Sequence, residues 1–112
     1  MQRFSIGRAI AFTYYLGKLI DYASTSGIDI MCTELQRFKD RQQQLVDAGS
    51  SQTLDSDHIV CSACDVDVIR GGKVVGDGSD HAYRELAQFW TNLNNGCYWL
   101  GPEDARHFGY RH

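Results

Sequence analysis

The stretch Ser62-Ala63-Cys64-Asp65-Val66-Asp67-Val68-Ile69-Arg70-Gly71-Gly72-Lys73-Val74-Val75 decides how this chain folds. From Ser62 to Ile69, small and β-branched residues alternate with acids, the period-two pattern of a strand with one buried face. Gly71-Gly72 supplies the backbone freedom of a tight hairpin turn, so the chain reverses into Lys73-Val74-Val75. The alternation places Asp65 and Asp67 on one face of the strand and Val66 and Val68 on the other.

Working outward, Ile10, Phe12, Leu16, Leu19, Ile20 and Ala23 recur at helical spacing over about residues 8–24, with Ser5 as N-cap and Gly27 as stop. This predicts a core-facing helix. Ile28 to Cys32 reads as a short strand, and Arg37 to Ala48 as a second helix, rich in good helix formers and closed by Gly49. Residues 50–57 are turn formers and are expected to be loop. Downstream, a third helix from about Asp80 to Asn94 puts Tyr83, Leu86, Ala87, Trp90 and Leu93 along one stripe, and Gly96 ends it. Cys97 to Leu100 and Arg106 to Tyr110 then read as closing strands around a loop that holds Asp104. Strands arriving late and mostly as antiparallel neighbours predict an α+β fold, a small antiparallel sheet with about three helices packed on it.

Length and composition narrow the function. A chain of 112 residues is expected to be one domain, residues 1–112. Its 43% hydrophobic and 22% charged residues are those of an ordinary globular protein, and a net charge of −3 without a basic stripe excludes a nucleic-acid footprint. The apolar run within Ala9-Ile10-Ala11-Phe12-Thr13-Tyr14-Tyr15-Leu16-Gly17-Lys18 is too short for membrane insertion and makes a poor export signal. Four cysteines, Cys32, Cys61, Cys64 and Cys97, are expected to stay reduced. Cys61-x-x-Cys64 has the spacing of a zinc ribbon or a dithiol redox site. A ribbon needs a second pair, whereas Cys32 and Cys97 are isolated, and the redox motif lacks its strand-to-helix setting.

The chemistry is carried by two runs, Ser56-Asp57-His58-Ile59-Val60-Cys61-Ser62-Ala63-Cys64-Asp65 and Asp104-Ala105-Arg106-His107-Phe108. Two histidines and a carboxylate suffice for a catalytic zinc site, leaving the fourth position open. His58 and Asp65 are too far apart in sequence for the i,i+4 arrangement of helical zinc proteases, so they converge only through the fold. Asp67 competes with Asp65, since both face the same way. His81 and His112 match nothing and are read as surface residues.

Ser-x-His, six residues, Asp, and a later Asp-x-x-His resemble the zinc D,D-carboxypeptidase and L-alanyl-D-glutamate endopeptidase family, which includes many bacteriophage endolysins. Glu34-Leu35-Gln36-Arg37, Arg41-Gln42-Gln43-Gln44-Leu45 and Gly49-Ser50-Ser51-Gln52-Thr53-Leu54 are similar to the family's segment carrying a substrate-facing arginine. The resemblance implies a Hedgehog/D,D-peptidase-like fold and one Zn²⁺ held by His58, Asp65 and His107. It further implies Asp104 as general base, Arg37 as the cation on the substrate carboxylate or oxyanion, and Ser56 as a substrate contact. The implied partner is the peptidoglycan stem peptide, cut by a monomer made in the host cytoplasm and reaching the wall after release or virion delivery. Cys61 stands where the family usually has Gly. The family's Trp-Gly-Gly segment is shortened to Trp99-Leu100-Gly101-Pro102-Glu103, which leans toward an open, endopeptidase-like cleft. The competing reading is an inactive wall-binding or virion structural protein that keeps the fold.

Overall fold

The structure, a computed structural model, describes residues 5–34, 44–49 and 62–111. Helix α1 (Ile6–Thr25) begins at Ser5, whose Oγ accepts the Arg8 N–H at 3.2 Å, satisfying a donor that the first helical turn leaves orphaned. Gly27, at φ 73°, turns the chain into β1 (Asp29–Glu34), which starts one residue later and runs two further than the sequence predicts. Residues 44–47 are the described part of helix α2. Gly49 closes it at φ 75°, its N–H donating to Val46 O at 3.0 Å. The start of that predicted helix and the loop predicted over 50–57 lie outside the described residues.

Strand β2 (Ala63–Arg70) turns through Gly71 and Gly72, both at positive φ, into the short β3 (Lys73–Val74). Helix α3 (His81–Leu93) is capped by Asp80, whose side chain accepts the Ala82 N–H. The same carboxylate takes a bidentate Arg70 fork at 2.8 and 2.9 Å and is held well below the ordinary carboxylate range, first by Arg70 and then by the Ala82 amide. After α3 come β4 (Cys97–Trp99), a 3-10 turn (Pro102–Asp104) and β5 (His107–Tyr110). The sheet runs β1-β2-β5-β4, every described pair antiparallel, with β3 also pairing β2. The α+β architecture expected from the sequence is the one observed.

Pairing registers sort the side chains by face. Cys64, opposite Phe108, and Val66 and Val68 further along β2 point at the helices and are buried. They meet Phe12, Leu16, Leu19 and Ala23 of α1 and Tyr83, Leu86 and Trp90 of α3. Trp90 lies edge-on to Phe12 and Phe108, with centroids 5.9 and 6.1 Å apart. Its indole Nε1 donates to Tyr98 O (3.0 Å) and Gly109 O (3.1 Å), tying α3 to the β4–β5 pair.

The stripe expected on α1 needs correction. Ile10 and Ile20 are 64% and 44% exposed. At 100° per residue, the four buried positions centre on one direction, and Ile10 and Ile20 point about 150° and about 70° away from it. Cys32, Cys64 and Cys97 are free thiols, the last two buried. Cys61 lies outside the described residues, so the Cys61-x-x-Cys64 motif is only half placed, with Cys64 in the core. Among the described residues, no helix is long and apolar enough to cross a membrane.

Candidate metal centre

The sheet face turned away from α1 and α3 carries the polar residues. Asp65 of β2 sits directly opposite His107 of β5, and residues so paired on neighbouring antiparallel strands have Cβ atoms about 4.5–5.5 Å apart on the same face. A carboxylate oxygen and an imidazole nitrogen at that separation can share one cation through bonds of about 2.0–2.2 Å, two of the three protein donors that a catalytic zinc takes. Asp65 is half-buried and His107 only 8% exposed. The third expected ligand, His58, and the expected substrate contacts Arg37 and Ser56 lie outside the described residues. Among the described residues, no group of three or more His, Cys, Asp or Glu is assembled for a metal; the pair Asp65 and His107 is what the fold brings together.

Asp67, the other acid on this face of β2, has a partner of its own. Asp67 is 5% exposed and forms an ion pair with Arg106, its Oδ1 against Nε, with Nη2 donating to Oδ2 at 3.4 Å. Arg106 Nη2 also donates to Thr33 Oγ1 (3.1 Å), and Thr33 Oγ1 donates to the Asp65 carbonyl (3.4 Å). Burial works to lower the Arg106 pKa, but the carboxylates of Asp67 and then Asp65 outweigh it and hold the guanidinium above its ordinary value. Asp67 is thereby committed to Arg106, a partner 39 residues away that strand alternation alone does not reveal.

Asp104 closes the 3-10 turn rather than sitting in an open loop. Gly101, at φ 84°, starts the turn; Asp104 N–H donates to Gly101 O at 3.1 Å. Trp99 Nε1 donates to Ala105 O at 2.8 Å, and Gly78 packs so closely that an added Cβ would lie 3.2 Å from Ala105 Cβ and closer still to the Pro102 carbonyl. The turn carrying Asp104 is thus pinned from both sides. It borders a cleft of about 400 Å³ lined by Asp67, Gly76, Tyr83, Glu103, Asp104 and Arg106. Glu103 and Asp104 both line this cleft. His81, at the start of α3, has an 84% exposed side chain, as read from the sequence.

One further residue reaches the pair. Tyr98 Oη lies 3.1 Å from His107 Nε2, with ring centroids 5.6 Å apart. No sequence motif marked Tyr98; the only trace is Gly109, the position its ring overlies.

No protein-family model matches the chain. An L-alanyl-D-glutamate peptidase of Listeria phage A118 is 40% identical over 67 residues, which is 60% of this chain and 22% of that protein. The chain thus spans about a fifth of the length of that relative. The crystal structure of the Serratia marcescens L-Ala D-Glu endopeptidase ChiX aligns over 90% of this chain and 78% of its own, at 25% identity and a TM-score of 0.71. A mutant of the vancomycin-resistance D,D-pentapeptidase VanY, in complex with Zn(II), aligns over 97% of this chain and 73% of its own, with a TM-score of 0.65 at 16% identity. In sequence and in fold the chain is similar to peptidases of the L-alanyl-D-glutamate endopeptidase and D,D-peptidase kind. The Asp104-x-x-His107 run expected from the sequence falls on the 3-10 turn and the first residue of β5, and Asp65 lies on β2.

Proposed function

We propose that the chain is a zinc-dependent peptidase that hydrolyses an amide bond in peptidoglycan stem peptides, with the L-alanyl-D-glutamate bond as its target. The observation that carries this reading is the placement of Asp65 directly opposite His107 on the sheet face turned away from α1 and α3, with Asp104 three residues ahead of His107. The choice of bond follows the relatives of higher identity, both of which are named for cutting between alanine and glutamate.

His58, Asp65 and His107 would hold the metal. Bound zinc supplies Lewis acidity that makes a water nucleophilic near neutral pH and polarises the scissile carbonyl. Asp104 accepts the proton of the attacking water and hands it to the leaving amine, so that one water and one amide become a carboxylate and a protonated amine. Arg37, always cationic, holds a substrate carboxylate or the developing oxyanion, and Ser56 contacts the substrate. The cleft beside Asp104 gives the peptide a place to lie against the base.

Digestion of purified peptidoglycan by the zinc-loaded protein, with new termini identified by mass spectrometry, tests the reading. New L-alanine carboxyl and D-glutamate amine groups are expected. Release of free D-alanine alone would move the activity to the carboxypeptidase side of the family, and intact stem peptides would refute hydrolysis.

A further inference from the structure

We propose that Tyr98 is a positioning residue for the metal centre: its hydroxyl holds His107 Nε2 and so commits His107 to ligate zinc through Nδ1. This rests on the zinc site of the preceding section and adds to it a residue that no motif marks.

Three independent features fix the Tyr98 ring where it does this. First, Tyr98 pairs with Gly109 across the β4–β5 ladder, and the ring lies over the space a side chain at 109 would fill: an added Cβ would be 2.5 Å from Tyr98 Oη and 2.7 Å from Cε1. Only glycine leaves that space open. Second, the Arg111 guanidinium stands over the Tyr98 ring, 5.5 Å from its centroid. Third, Trp90 Nε1 bonds the carbonyls of both Tyr98 and Gly109, so the backbone beneath the ring is anchored to the core. The hydroxyl reaches Nε2 at 3.1 Å with the two rings tilted by 34°. A ligating histidine needs its second nitrogen to carry the proton and a partner to receive it, which fixes both tautomer and ring orientation. In the metal-loaded protein His107 Nε2–H donates to Tyr98 Oη.

The test is zinc affinity by competition with a chromophoric chelator in wild type, Tyr98→Phe and Gly109→Ala, with circular dichroism to confirm folding. Tyr98→Phe keeps the ring over Gly109 and removes only the hydroxyl, and its zinc Kd is expected to rise by about 10- to 100-fold. Gly109→Ala displaces the ring and is expected to weaken zinc comparably, but to add little in the Tyr98→Phe background. A nitrogen-15 spectrum of the His107 ring in zinc-loaded wild type should place the metal on Nδ1, and the Nε2 proton should exchange faster in Tyr98→Phe. A folded Tyr98→Phe protein with a zinc Kd within twofold of wild type, or metal on Nε2, overturns the role of Tyr98 and leaves the zinc site standing. Wild type that binds no zinc overturns the zinc site and this role together.

Discussion

Replacing Trp90 with Phe probes the joint on which the candidate site rests. Trp90 is fully buried between Phe12 and Phe108, and its Nε1 bridges the carbonyls of Tyr98 and Gly109. Both carbonyls belong to the strand pair that carries His107. Losing the shared donor costs about 0.5–1.5 kcal/mol. The space vacated when a six-membered ring replaces an indole adds on the order of 1–2 kcal/mol, because a close-packed core relaxes only in part. The total is roughly 1.5–3.5 kcal/mol, which for a domain of this size corresponds to a melting temperature lower by roughly 7–18 °C. Urea titration followed by far-UV circular dichroism measures it directly, with an unchanged m-value showing that only stability has moved. A Trp90→Phe unfolding free energy within about 0.5 kcal/mol of wild type, below the usual cost of a core substitution, would refute the idea that the indole bridge holds β4 and β5 against α3.

Asp104→Ala should keep zinc and fold while lowering stem-peptide cleavage by about 10²- to 10⁴-fold, measured as steady-state rates on a synthetic stem peptide; Glu103→Ala, in the same cleft, should retain most activity. Arg106→Gln strips the buried Asp67 of its counter-ion and should cost about 1–3 kcal/mol by urea titration, less than a fully buried pair because Arg106 is half exposed; adding Asp67→Asn should recover much of the loss. Cys32, held down to about 7 by its hydrogen bond with Cys64 against the opposing effect of burial, should be alkylated by iodoacetamide at pH 7.5 well ahead of Cys97, which burial pushes up to about 11. Because the thiolate is the reactive form, the Cys32 rate should fall as pH drops through about 7, and equal rates for the two thiols would refute the assignment.

Most of the fold was legible because its punctuation is local. Ser5, Gly27, Gly49 and the Gly71-Gly72 pair act on residues within one turn of themselves, and each stands where the backbone needs it. Alternation along β2 correctly separated Asp65 and Asp67 from Val66 and Val68. What escaped depends on partners distant in sequence. The commitment of Asp67 to Arg106 and the seating of Tyr98 over Gly109 follow from the strand order β1-β2-β5-β4, which no periodicity encodes. Ile10 and Ile20 were misplaced because a generous helical stripe admits residues that the narrow contact with the sheet leaves outside. The turn at Pro102–Asp104 is set by Gly101 and by the Trp99 bond to Ala105, so its register could not be read from Asp-x-x-His alone. The readings at Arg37, Ser56 and His58 rest on motif spacing.

The central claim is that one zinc sits between Asp65, His107 and His58, and the most direct measurement is metal content per chain in wild type and in His58→Ala, Asp65→Ala and His107→Ala after equilibration with limiting zinc. The account predicts one zinc per wild-type chain and a substantial loss in each folded variant, with Asp67→Asn keeping its metal. Unchanged zinc in all three alanine variants, or loss of zinc on alkylating the cysteines instead, would contradict it.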